Sequence, residues 1–173
     1  MNFPVQSQQK KDIQRANFSG EWISKESISM GGNIVCSYDE GDRMLSKKMI
    51  VSQQDDYLTI DISNSSPGTS INSRPEKLRL DGKENQIIAG NEKRKKSTVT
   101  FSADGKTMTI KSIVNLMVAT PYNVHFQKEA FVNVNEIWSL SSDGKSIKVK
   151  AYAKSNIFDD ERSWITVFDK ANK

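Results

Sequence analysis

The chain has 173 residues, of which 25 are basic and 21 acidic, giving a formal net charge of +4, with 36% apolar and 27% charged residues. That length suits one domain large enough to bury its own core. A single cysteine, Cys36, and a single histidine, His125, exclude an internal disulfide and most histidine-based metal sites, and no apolar run approaches the ~18 residues of a membrane-spanning helix.

Residues 1–17 are polar and rich in Gln and Lys. They read as a flexible tail, disordered or ordered only on contact. The best helical stretch, Pro4 to Ala16, offers only Val5, Ile13 and Ala16 as apolar residues, too few for a buried stripe. Phe3-Pro4-Val5 is too short for the apolar region of a secretory signal. The leader's composition favours an exported chain, periplasmic or extracellular, freed of its signal peptide, over a cytoplasmic one.

From Phe18 onward the punctuation is that of an all-β domain, residues 18–173. Turn signals fall at Gly31-Gly32, Glu40-Gly41-Asp42, Gln54-Asp55-Asp56, Ser66-Pro67-Gly68, Asp81-Gly82, Ala103-Asp104-Gly105, Thr120-Pro121 and Ser142-Asp143-Gly144. The runs between them are rich in β-branched and aromatic residues. Several alternate strictly: Leu58, Ile60 and Ile62 against Thr59 and Asp61; Met108 and Ile110 against Thr107, Thr109 and Lys111; Ile147, Val149 and Ala151 against Lys148 and Lys150. Period two with one apolar face predicts an antiparallel sheet over a core. Eight to ten strands, joined mainly by hairpins, are expected.

An internal echo supports a meander. Phe101 to Lys111 aligns without gaps to Leu140 to Lys150, each reading strand, Ser-x-Asp-Gly-Lys, strand. The Asp-Gly pair suits a hairpin with glycine in the left-handed region. Val51 to Ile60 is a looser third copy.

Phe18-Ser19-Gly20-Glu21-Trp22 opens the first strand, and the ordered set continues with Leu80-Asp81-Gly82-Lys83-Glu84, Ser97-Thr98-Val99, the paired Asp-Gly-Lys hairpins, Glu136-Ile137-Trp138-Ser139-Leu140 and Val167-Phe168-Asp169-Lys170. From Phe18 to Lys170 this resembles the lipocalin-like (calycin) proteins, in particular the small exported barrels of Bacteroidetes and related bacteria. The resemblance implies a single antiparallel meander β-barrel. It also implies a basic side chain over the first-strand tryptophan, closing the barrel base with Gly20 and Trp22. Arg162 is the first candidate for that cation and Lys170 the second. The middle lipocalin phrase, Thr-Asp-Tyr, has no clear copy here.

Catalytic chemistry is scarce. A nucleophilic triad needs a nucleophile, a base and an orienter, and only Cys36 and His125 offer a dyad on paper. The acidic clusters Asp39-Glu40-Gly41-Asp42 and Asp159-Asp160-Glu161 lack the spacing of an EF-hand and read as turn chemistry. No metal, cofactor or catalytic residue is expected. Lys93-Arg94-Lys95-Lys96 reads as a solvated charged loop between strands; without interleaved aromatics it does not point to nucleic acid.

The remaining feature is the barrel interior. Inward positions are expected at Trp22, Ile50, Leu58, Ile60, Leu78, Leu80, Val99, Phe101, Met108, Ile110, Phe126, Trp138, Leu140, Ile147, Val149, Trp164, Thr166 and Phe168. Of these, Leu58, Ile60, Leu80, Phe101, Met108, Ile110, Phe126, Trp138, Val149 and Trp164 are the expected ligand-binding set. The leading expectation is a non-catalytic protein that carries or senses a small apolar or amphipathic molecule, entering between the Ser63–Arg74 and Leu116–Tyr122 loops. The alternative is a filled barrel whose outer surface meets protein, glycan or cell envelope. An apolar cavity above ~300 Å³ separates the two.

Overall fold

Strands that are apolar at every second position leave one face to be buried, and a curled sheet can bury that face against itself. A computed structural model of the chain describes residues 14–25, 48–63, 75–89, 92–120, 123–156 and 158–172. It contains ten strands: β1 (Gly20–Ser24), β2 (Lys48–Gln53), β3 (Tyr57–Ser63), β4 (Glu76–Arg79), β5 (Asn85–Ala89), β6 (Glu92–Phe101), β7 (Thr107–Thr120), β8 (Asn123–Leu140), β9 (Ser146–Ser155) and β10 (Phe158–Lys170). The described residues hold no helix.

The strand order is β4-β3-β2-β1-β10-β9-β8-β7-β6-β5, with antiparallel pairing throughout. This is a nearly closed meander barrel, with a break beside β4. Side chains cross the break where no backbone ladder does among the described residues. Asn85 accepts from the Arg79 amide at 2.9 Å and donates to the Ser97 carbonyl at 3.3 Å, so one side chain links β4 to β6. Lys95 of β6 meets Glu76 of β4 at 2.9 Å, with side chains only 6% and 10% exposed.

The two echoed hairpins are atom-for-atom equivalents. In each, the serine hydroxyl donates to the aspartate at 2.6 Å, the aspartate accepts the following lysine amide, and the serine hydroxyl accepts the amide that starts the next strand. Gly105 and Gly144 sit at φ 72° and 68°, where a β-branched residue would be strained. The Asp81 turn repeats the carboxylate-to-amide bond at Lys83 (3.0 Å).

These turns, the β2–β3 turn and the start of β1 all lie at one end of the barrel, which is plugged by Phe18, Trp22, Trp138 and Phe168, each at most 1% exposed. Phe18 meets Trp138 edge to face at 6.1 Å. Residues 14–17, read from sequence as tail, run along this end. Ala16 donates its amide to Gly105 O at 2.8 Å, and the Gln53 side chain spans Ala16 O and Phe18 N, both at 2.9 Å. Polar sequence hid this because the order comes mainly from hydrogen bonds to the segment's backbone, two of them from the Gln53 side chain, and not from an apolar stripe.

Candidate functional site

The inward faces come first. Trp22, Leu58, Ile60, Leu78, Leu80, Val99, Met108, Ile110, Trp138, Ile147, Val149 and Phe168 form one core, and Phe101 and Leu140 pack against it partly buried. Each of the twelve is at most 3% exposed. Thr166 is also buried. Ile62 and Ala151, on the apolar faces read from alternation, join this core, and Phe18, Met49 and Val51, which sequence reading missed, complete it. Ile50 is a correction: it faces outward at 45% exposure, and its neighbours Met49 and Val51 face in. The run Met49-Ile50-Val51 is apolar on both faces, so alternation alone could not set its register. The side chains of Phe126 and Trp164, both expected in the ligand set, lie outside the described residues.

The cation over the Trp22 ring is Lys170, its Nζ 5.5 Å from the ring centroid. Trp22 and Lys170 are register partners across β1 and β10. The side chain of Arg162 lies outside the described residues. Its backbone pairs with Ala153, eight residues up β10, roughly 26 Å away at the rise of a strand. The place that sequence offered first to Arg162 is therefore filled by the second candidate.

The basic run is also corrected. It is not a loop but part of β6. Strand alternation sends Lys95 inward to Glu76 and Lys96 outward, 3.6 Å from Glu84. The side chains of Lys93 and Arg94 are outside the described residues. Cys36, the cluster at residues 39–42 and the Ser63–Arg74 side chains lie there too, as do the side chains of His125, Asp159 and Asp160. Among the described residues no group of acidic, His or Cys side chains could hold a metal ion.

Toward the far end, inward side chains become short and partly polar: Ser97, Ser112, Ala130, Ala151, Ala153 and Ser155, with Glu136 buried among these positions. Ser97 and Ser112 share a hydrogen bond of 3.0 Å across β6 and β7.

A concavity of about 490 Å³ lies on the outer face, across β6 to β10. Two cross-strand rows build it. Thr98, Lys111, Asn135 and Tyr152 stand in register, and beside them run Lys96, Ile113, Asn133 and Lys154. Glu161 closes the β10 side, where an irregularity between Phe158 and Arg162 breaks the pairing. Glu84 closes the other. Tyr152 is half-buried in the middle, the one aromatic among the described residues lining the groove. Lys111 and Lys154 make no ion pair among the described residues. The side-chain oxygen of Asn135 is buried with no hydrogen-bond partner, at a cost of ~1–3 kcal/mol.

The carboxylates with shifted acidity lie away from this groove, at the turns. Hydrogen bonds from Ser102 and Ser141, then from the Lys106 and Lys145 amides, hold Asp104 and Asp143 below the usual carboxylate range. Arg79 does the same for Asp81, aided by the Lys83 amide. Each carboxylate is engaged in turn geometry, which is a structural task.

The chain matches no protein-family model, no curated protein and no solved structure.

Proposed function

We propose that the protein is a non-catalytic, lipocalin-like binding module whose barrel is filled and whose ligand docks on the outer groove of β6–β10. One contrast carries this reading. The expected ligand-binding residues Leu58, Ile60, Leu80, Met108, Ile110, Trp138 and Val149 are at most 3% exposed, whereas the groove offers about 490 Å³, inside the ~300–1,000 Å³ range of small-molecule sites. Its lining mixes amide, hydroxyl, ammonium and one aromatic ring, a set suited to polar recognition.

Carriage of a small amphipathic ligand inside the barrel is the second reading. It is favoured by the change to short inward side chains at Ser97, Ser112, Ala151 and Ala153.

Ligand-detected NMR with fatty acids, soluble oligosaccharides and peptides tests both. Asn133→Trp fills the groove from an exposed position without touching the core. Polar ligands that bind the native chain and fail with Asn133→Trp support the outer site. Saturable fatty-acid binding that survives Asn133→Trp, with no polar ligand found, replaces it with the interior.

A further inference from the structure

Resting on the groove reading, we infer that the occupant is an acidic oligosaccharide, a chain of sugar rings bearing carboxylate or sulfate groups. The argument starts from Tyr152. A half-buried ring fixed on a strand between two lysine-bearing positions presents a flat apolar surface in a polar setting. The C–H face of a sugar ring stacks on such a surface, and its hydroxyls need donors and acceptors around the edge. Asn133, Asn135 and Thr98 supply them from adjacent strands.

Charge selects the acidic form. Glu84 is held by Lys96 at 3.6 Å. Lys111 and Lys154 have no carboxylate of the described residues on them. They stand on β7 and β9, on either side of the Asn133–Asn135 strand. Two cations on opposite sides of the amides match anionic groups carried by neighbouring rings of one chain. Glu161, at the far edge, accepts hydroxyls and repels an acid there, which gives the groove a direction. A single-stranded nucleic acid fits less well. Such ligands stack successive bases on several aromatics, and Tyr152 is the single aromatic among the described residues lining the groove.

Isothermal titration is run with oligogalacturonate, a sulfated dextran oligomer, their neutral counterparts and a short oligo-dT. One acidic oligosaccharide is expected to bind saturably, at least about tenfold tighter than its neutral form, a ratio worth ~1.4 kcal/mol. Lys111→Glu with Lys154→Glu should weaken it about tenfold or more. Tyr152→Ala should weaken it by a similar factor, and still do so in high salt, where exposed charges are screened. Tyr152→Phe should retain most affinity, and Lys148→Glu, outward on β9 but outside the groove, should change little. Equal binding of neutral and acidic chains, both lost on Asn133→Trp, overturns the acid and keeps the groove. Preferred binding of oligo-dT overturns the glycan. No binding by any member of this panel overturns the inference, and the wider NMR panel then decides the groove itself.

Discussion

Lys170 lies with its Nζ 5.5 Å from the ring centroid of Trp22, its register partner on the neighbouring strand. Gly20 completes the arrangement. Its φ is 153°, and a Cβ there would stand 3.1 Å from the Lys170 stem and 3.3 Å from the indole. A first-strand Gly-x-Trp thus has a local cause: the indole folds back over a position where a side chain would be strained and crowded, and a lysine stem covers both.

Gly20→Ala should destabilise by ~1–3 kcal/mol, from backbone strain and the crowded indole together. Lys170→Met keeps the stem and removes the charge, so it should cost only ~0.5–1 kcal/mol. Urea denaturation of the two variants checks the order. A larger loss for Lys170→Met would place the energy in the cation instead of the glycine.

The buried indoles of Trp22 and Trp138 differ in one bond. Trp22 donates to Phe18 O at 3.0 Å, and the Trp138 donor is buried without a partner. Trp22→Phe should therefore cost more than Trp138→Phe, because removing an unsatisfied donor returns ~1–3 kcal/mol against the lost ring area. Thermal melts should show Trp138→Phe close to the native chain and Trp22→Phe clearly below it.

At the break, Glu76→Gln or Lys95→Met alone should destabilise by ~3–5 kcal/mol, since each removes one half of a buried charge pair. The double variant Glu76→Leu with Lys95→Met should recover much of that loss. A double-mutant cycle with no coupling would show that the pair does not hold the break.

Asp104 and Asp143 have folded-state acidity below the ordinary carboxylate value, chiefly through Ser102 and Ser141. Their contribution is complete above the unfolded-state pKa of about 4 and is lost as pH falls through the lower folded value. The melting temperature should drop on acidification below about pH 4. Asp104→Asn with Asp143→Asn should flatten part of that drop and leave the curve at higher pH parallel. An unchanged acid limb would remove these turns as its source.

Much of the fold was legible because period two and Asp-Gly turns are short-range signals. The two equivalent hairpins follow from eleven aligned residues, and most of the core follows from alternation. Register failed at Ile50, where three consecutive apolar residues erase the alternation that would set it. Lys95 was hidden because its inward burial depends on Glu76, nineteen residues earlier and across the break. The groove was hidden for a related reason. Tyr152 stands out among the outward Lys148, Lys150 and Lys154 of β9, but its neighbours Thr98, Lys111 and Asn135 come from three other strands. Only pairing brings them together.

The strand order also separates quick from slow steps of assembly. The hairpins, and the contacts of Asn85 and Lys95 at the break, join segments close along the chain. The β1–β10 ladder joins opposite ends of the domain, from Trp22 to Lys170. Ring closure over so long a loop carries the largest entropic cost of any pairing in the sheet. On that ground the meeting of β1 with β10 is expected to be the slowest pairing of the sheet to form. The Trp22–Lys170 contact should then form with it, and emission from a Trp138→Phe, Trp164→Phe variant, which keeps Trp22 alone, would time it.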